Sequence, residues 1–85
     1  MKRRVMRSDA NHSEIASALR VYGWQVLDIG WPADFLIVKP GRPMILADAK
    51  SSAKAKFTES QLKVQVQGFT LIRLNNIQDV ERLSR

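Results

Sequence analysis

The chain contains no cysteine, which excludes disulfide bridges and cysteine-based zinc sites and fits a reducing compartment. It also lacks a long apolar run, because each hydrophobic stretch is only a few residues long and far short of a bilayer span. The basic N-terminus is followed by SDANHSE rather than by an apolar segment, so the pattern of a signal peptide is missing. We therefore expect a soluble, cytoplasmic protein with no membrane partner.

Internal repeats, low-complexity segments and linkers are missing as well, and 85 residues suffice for one compact domain but not for two. A hydrophobic content of 45% and a charged content of 26% are ordinary for a globular protein and argue against a disordered chain. A domain of this length buries only roughly 60–65% of its unfolded surface. The thin core favours association with a second subunit.

Acidic residues are few, since eight Asp and Glu stand against fourteen Lys and Arg and leave a formal net charge of +6. A basic surface attracts polyanions such as nucleic acids. Four basic residues lie in an N-terminal arm over residues 1–10, and a second cluster, formed by Lys50, Lys54, Lys56 and Lys63, surrounds the acidic motifs described below. Either cluster could instead be a solvated face that only keeps the protein soluble. The residues assigned to nucleic-acid binding are Lys2, Arg3, Arg4, Arg7, Lys54, Lys56 and Lys63.

The spacing of apolar residues predicts one α/β domain over residues 11–85 with the element order αβββαβα. Asn11 and Glu14 match a capping box at the start of the first helix, and Thr58 and Gln61 match one at the second. The third strand is apolar on both faces at first, which is typical of a central strand covered on both sides. The predicted elements are a helix over 11–21, strands over 24–29, 34–38 and 44–50, a helix over 58–68, a strand over 69–74 and a helix over 76–83.

Helical spacing also selects the residues of the first and last helices that should face the core. In the first helix they are Ile15, Ala18, Leu19 and Tyr22. In the last helix they are Ile77, Val80 and Leu83.

An acid and an amine lie two residues apart in the segment ILADAK, and a further acid lies in PADFLIV, at the start of the preceding strand. Side chains at positions i and i+2 of a strand point to the same face, so Asp48 and Lys50 are neighbours in space. If the preceding strand pairs antiparallel with theirs, Asp34 joins them. Two carboxylates and one ammonium, brought together where water is partly excluded, form a site for a divalent cation and a phosphate.

Each of these residues also has a structural explanation. Asp34 could cap the turn that follows Pro32, which is a common role for aspartate. Asp48 and Lys50 could form a salt bridge on one face of the strand. Such a pair stabilises a protein by only about 0–1 kcal/mol when exposed, whereas a lone buried carboxylate is costly unless it is paired or binds metal.

Four further residues have an ambiguous role in the sequence. The capping boxes give Glu14 and Gln61 a structural function, although both should lie on helix turns near the sheet. His12 stands alone among polar residues, so we expect it to be solvated and assign it no chemistry. Trp31 could stack on a base or a partner, although a side chain of that size in a small domain more often belongs to the core or to an interface.

The combination resembles the PD-(D/E)XK nuclease superfamily, and within it the small VRR-NUC type and the archaeal-style Holliday-junction resolvases. Each motif is common by itself, whereas their order, spacing and strand context are fairly specific. Two features depart from the family: the second acid is Asp rather than the more frequent Glu, and Ala33 separates Pro32 from Asp34. The resemblance runs from the first helix through the fourth strand and is carried by Glu14, Asp34, Asp48, Ala49, Lys50, Thr58 and Gln61.

The resemblance implies a restriction-endonuclease-like domain in which a mixed four-stranded sheet is flanked by helices. It further implies that Asp34, Asp48 and the backbone carbonyl of Ala49 bind Mg²⁺ or Mn²⁺, which prefer hard oxygen ligands. Glu14 would hold a water or help to bind a second ion.

By the same resemblance, Lys50 orients or polarises the attacking water and stabilises the transition state. Gln61 positions that water or Lys50. The catalytic residues implied are thus Glu14, Asp34, Asp48, Lys50 and Gln61.

The expected activity is hydrolysis of phosphodiester bonds by a metal-dependent DNA endonuclease acting on duplex or branched DNA. A homodimer that cuts four-way junctions is a specific form of this hypothesis, because one site per subunit gives paired cuts. Two alternatives stay open: a non-catalytic nucleic-acid-binding module that retains the fold, and an RNA-directed nuclease. Two carboxylates repel DNA, so a pure phosphate binder would do better without them.

Overall fold

The computed structural model describes residues 10–50 and 56–85. In those ranges it forms a small α/β domain with three helices and a four-stranded mixed sheet, and the predicted order αβββαβα is confirmed. The helices are α1 (Ala10–Val21), α2 (Glu59–Val66) and α3 (Ile77–Ser84). The strands are β1 (Gln25–Asp28), β2 (Phe35–Val38), β3 (Ile45–Ala49) and β4 (Leu71–Leu74).

The sheet has the strand order β1-β2-β3-β4, with β1, β2 and β3 antiparallel in succession and β4 parallel to β3. In the register of the central pair, Phe35 lies opposite Ala47 and Ile37 opposite Ile45. If this register is continued by one residue beyond β2, Asp34 lies opposite Asp48. The antiparallel pairing that the acidic motifs required is therefore present.

One face of the sheet carries the core. Helices α1 and α3 pack on this face, because alternate strand residues turn their apolar side chains towards them. Ile15 and Leu19 of α1, Phe35 and Ile37 of β2, and Val80 of α3 are fully buried there. Trp24, just before β1, is buried as well, and its indole nitrogen donates to the Ser84 hydroxyl over 2.9 Å.

The opposite face is covered in part. Helix α2 lies against β4, where the Gln65 amide donates to the Leu71 carbonyl over 3.0 Å. Over β1, β2 and the start of β3 the apolar side chains of this face stay accessible, with Leu27 58% and Met44 60% exposed. The expectation that β3 is covered on both sides is therefore wrong for its first half. We call the residues Leu27, Leu36, Val38, Met44 and Leu46 the open sheet face.

The capping box at the second helix is confirmed: Thr58 caps α2, its hydroxyl accepts from the Gln61 amide, and the Gln61 side chain accepts from the Thr58 amide. The corresponding prediction for the first helix is wrong, because α1 already includes Ala10 and Asn11 is helical. The Asn11 side chain reaches instead to a backbone carbonyl at the end of β3.

Two residues predicted to face the core are largely outside it. Ile77 is 46% exposed and Tyr22 is exposed, whereas Ala16, which was not predicted, is buried. The buried side of α1 is therefore rotated towards Ala16 relative to the predicted stripe. Val80 is fully buried and Leu83 packs against the core, as predicted.

Several predictions concern positions outside the described residues. The N-terminal arm apart from residue 10 is one of them, with Lys2, Arg3, Arg4 and Arg7, and Lys54 is another. Among the described residues, no helix has the length and the apolar content that a membrane span requires.

Candidate functional site

Asp34 and Asp48 meet at the end of the central strand pair. The Asp34 backbone amide donates to Oδ1 of Asp48 over 3.1 Å, and Oδ2 of Asp34 accepts from the Ala49 amide over 2.9 Å. Each carboxylate thus binds the backbone at or next to the other, which fixes both side chains at one edge of the sheet. The predicted proximity of the two acids matches the structure.

Lys50 completes the cluster. Its ammonium lies 2.6 Å from Oδ2 of Asp48, and both side chains are mostly buried. Asp48 itself is only 6% exposed, so its charge is taken out of water and balanced by one ammonium and one amide. This is the salt bridge that the structural explanation of the motif expected, and Asp34 adds a second carboxylate beside it.

The electrostatics of Asp34 reflect this imbalance. Burial raises the pKa of its carboxyl, the hydrogen bond from the Ala49 amide lowers it, and the negative charge of Asp48 raises it again. His12 acts in the lowering direction through its charge. The net shift of the pKa is upward, so ionisation of Asp34 beside Asp48 is disfavoured.

Gln61 is buried and both ends of its amide are used. Its Oε1 accepts from the Thr58 amide over 3.0 Å, and its Nε2 donates to the Pro32 carbonyl over 2.8 Å. The side chain therefore ties the start of α2 to the loop between β1 and β2. These bonds make it a part of the wall of the site.

Two asparagines that the sequence analysis missed hold the backbone of Lys50. The Nδ2 of Asn11 donates to the Lys50 carbonyl over 2.8 Å, and that of Asn75 donates to the same oxygen over 3.3 Å. The Lys50 amide in turn donates to the Leu74 carbonyl over 3.0 Å. These bonds fix the backbone from which the Lys50 side chain reaches Asp48. The partners are 39 and 25 residues away in sequence, so no local pattern indicates them.

Glu14 lies elsewhere. It is exposed and lines a shallow groove between α1 and the start of α3, together with Ser17, Tyr22 and Ile77. It is not among the residues that line the hollow at Asp34 and Asp48. The structure therefore does not bring Glu14 to the other predicted site residues.

His12 stands closer to the acids than Glu14 does. Its ring packs on Phe35 with a centroid distance of 4.6 Å, and its Nε2 is 3.8 Å from Oδ1 of Asp28. It lies on the side of α1 that faces the sheet, and its charge acts on Asp34. The expectation that His12 is simply solvated is wrong, since its side chain is only partly exposed.

The acids open into a hollow of about 480 Å³. Its walls come from the β1–β2 loop, the end of β3 and the first turn of α2. They are formed by Gly30, Trp31, Pro32, Asp34, Asp48, Ala49, Lys50, Thr58, Ser60 and Gln61. Lys56 and Lys63, predicted to bind nucleic acid, are exposed and lie before and within α2.

The described residues contain no cluster of three or more His, Cys, Asp or Glu side chains that could hold a metal ion. The hollow offers two carboxylates, and any further protein ligand must be a backbone oxygen or a side-chain hydroxyl or amide oxygen, such as the hydroxyl of Ser60. The N–H and C=O of a strand residue lie on the same side of the strand. Since the Ala49 amide points to Asp34, the Ala49 carbonyl lies on that side as well.

Comparison with models of known families, with curated proteins and with solved structures finds no match for this chain.

Proposed function

We propose that the protein is a divalent-metal-dependent nuclease with a restriction-endonuclease-like fold of the PD-(D/E)XK type, and that it hydrolyses phosphodiester bonds in DNA. One observation carries the proposal: two carboxylates and an ammonium converge, mostly buried, at the mouth of one hollow. A cluster placed there only for stability would not need its second acid, because Asp34 is disfavoured as an anion beside Asp48.

The donor set fits a hard cation. Asp34 and Asp48 supply carboxylate oxygens and Ala49 supplies a carbonyl, which are the ligand types of Mg²⁺ and Mn²⁺. A cation bound between the acids would also offset the burial and the negative charge of Asp48, which together raise the pKa of Asp34. When bound, such an ion neutralises phosphate charge and acidifies water.

The chain's own residues position the substrate. Lys50 projects into the same hollow and stabilises the negative charge that develops on the phosphate. Gln61 has both amide ends engaged with backbone, so we assign it the role of holding the wall rather than the water. The exposed ammonium groups of Lys56 and Lys63 contribute affinity for the DNA backbone that depends on salt but little on sequence.

The test is cleavage of supercoiled, linear and four-way-junction DNA with Mg²⁺, with Mn²⁺ or with EDTA. Asp48→Asn is the decisive variant, because it keeps the shape and the acceptor for the Asp34 amide. Asp48→Asn and Asp48→Ala both remove the anion that pairs with Lys50, but Asp48→Ala also removes the acceptor for the Asp34 amide and should therefore destabilise the site more. We expect Asp48→Asn to fold and to lose cleavage, while Glu81→Gln, an exposed acid on α3, keeps it.

Cleavage by Asp48→Asn at the wild-type rate would refute the site. DNA binding without metal-dependent cleavage in the wild type would favour the alternative of a non-catalytic module. An RNA substrate of the same sequence, run in parallel, distinguishes the two nuclease classes.

We further propose that two copies associate through the open sheet face. In a two-fold dimer the same surface of each copy faces the other, so like charges near the axis repel each other. Because the chain has a net charge of +6, an uncharged face is the favourable surface for this contact. The open sheet face carries no charged side chain, Gln25 opposite Val38 is polar but uncharged, and Leu27 and Met44 are more than half exposed. Met44→Glu should convert the dimer to a monomer in sedimentation, whereas Val66→Glu, at an exposed apolar residue on α2, should not. A monomeric wild type at assay concentration would refute the dimer.

A further inference from the structure

Trp31 is presented to solvent by a loop that is itself held in place. The side chain is 69% exposed, whereas the other tryptophan, Trp24, is 2% exposed and bonded to Ser84. The backbone around Trp31 is fixed, since the amides of Ile29 and Gly30 both donate to the Asp34 carbonyl, over 3.0 and 3.4 Å. Within the described part of the chain, the indole of Trp31 makes no hydrogen bond or ring contact.

The next residue is anchored as well. The Pro32 carbonyl accepts from Gln61 over 2.8 Å, so the loop is tied to α2 on one side and to Asp34 on the other. A rigid loop that exposes a large aromatic side chain gains nothing from it in the isolated molecule, because the apolar surface of the ring stays in water. The position of the ring therefore indicates a ligand.

The indole lies in the wall of the hollow that holds Asp34, Asp48 and Lys50. A phosphate placed at Lys50 brings the base of an adjoining nucleotide within reach of that wall. Aromatic side chains stack on the faces of bases, and a base in an intact duplex has both faces covered by its neighbours. Only an unpaired base, at a fork, bulge, junction or single strand, can therefore stack on the ring of Trp31.

We propose that Trp31 is a binding site for an unpaired nucleobase next to the scissile phosphate, and that it makes the protein selective for nucleic acid with unstacked bases. The inference rests on the proposed function for the placement of the phosphate. It adds the recognition element that the acids and lysine lack, since they read only the backbone.

The test uses the protein's own fluorescence, measured in EDTA so that no metal-dependent cleavage occurs. The ligands are a short single strand, a fully paired duplex of the same sequence and that duplex with a bulge, each as DNA and as RNA. Stacking quenches the emission of Trp31, while the buried Trp24 serves as an internal reference. We expect quenching with the single strand and the bulge, and little with the paired duplex.

Three variants complete the test. Trp31→Ala should weaken binding of the single strand and the bulge about 5- to 150-fold and leave binding of the paired duplex nearly unchanged. Trp31→Phe, which keeps an aromatic face, should retain most of the affinity. Phe69→Ala removes an exposed aromatic side chain that does not line the hollow, and should change none of the affinities. Each variant is compared by thermal unfolding to show that it folds.

Equal losses on paired and unpaired ligands, or no loss on either, would overturn the inference. So would conversion of a dimer to a monomer by Trp31→Ala with DNA affinity intact, because Trp31 would then belong to a protein interface. Cleavage without quenching refutes this inference alone, and quenching without metal-dependent cleavage refutes the proposed hydrolysis alone. The DNA and RNA arms show which polymer supplies the base.

Discussion

Replacing Asp34 by Asn should stabilise the metal-free protein, although it removes a residue proposed to bind metal. The Asn oxygen can still accept from the Ala49 amide, and the new NH₂ group can donate to Asp48 as a protonated Asp34 would. The substitution removes the repulsion between two carboxylates that burial places side by side. A single stabilising substitution of this kind commonly raises the free energy of unfolding by about 0.5–2 kcal/mol.

That change in the free energy of unfolding corresponds to a rise in Tm of about 4–8 °C per kcal/mol for a domain of this size. The pH dependence follows from the direction of the shift. The pKa of Asp34 is raised above its ordinary value of 3.8, so the folded state holds this proton more tightly than the unfolded chain does. The contribution of Asp34 to stability is fully present below pH 3.8 and is lost as the pH rises through the raised pKa.

The measurement is thermal unfolding followed by circular dichroism from about pH 3.5 to 8 in EDTA. Because the asparagine of the variant does not titrate, the difference in Tm between the variant and the wild type should be small near pH 3.5 and should grow to a plateau towards neutral pH. Added Mg²⁺ should then raise the Tm of the wild type and not that of the variant, by an amount that follows the ratio of Mg²⁺ concentration to Kd. Glu81→Gln serves as the control for loss of an exposed acid. A variant less stable than the wild type at neutral pH, or a difference independent of pH, would refute the reasoning that burial and the charge of Asp48 disfavour the Asp34 anion.

Three other substitutions test the contacts around the site. Asn11→Ala removes the donor to the Lys50 carbonyl but keeps a good helix former in α1 and leaves the bond from Asn75, so kcat for DNA cleavage should fall while KM and Tm stay nearly constant; a proportional fall in Tm would contradict a positioning role. Gln61→Leu leaves the Pro32 carbonyl unpaired in the wall and should lower the free energy of urea unfolding by about 1–3 kcal/mol, whereas a neutral result would show that water replaces the amide. Arg42→Met removes the guanidinium that donates to three carbonyls at the end of α3 and should destabilise by about 1.5–3 kcal/mol in urea; unchanged stability would show that solvent caps that helix equally well.

Features set by neighbouring residues are the ones that the sequence predicts well. The capping box of Thr58 and Gln61 involves four consecutive residues and forms as expected. The meeting of Asp34 with Asp48 depends only on a short connection between two apolar strands, which favours an antiparallel pair. Lys50 then follows from strand periodicity.

The rotation of α1 about its axis was not predictable from its own residues. Small side chains such as Ala16 and Ala18 are compatible with more than one orientation of the helix about its axis. Only packing against the sheet determines which orientation is adopted. That selection turns His12 towards Asp34 and leaves Glu14 exposed in another groove. Local capping rules failed for Asn11 for a related reason, since its partner lies at the far end of β3.

A single oxygen, the Lys50 carbonyl, joins three parts of the chain that are far apart in sequence. During synthesis, a chain whose Asn75 has not yet left the ribosome cannot form both of these hydrogen bonds. The backbone of Lys50 therefore reaches its final position only after β4 has docked beside β3. If the protein is the nuclease proposed above, partly synthesised or partly unfolded molecules should lack cleavage activity for the same reason.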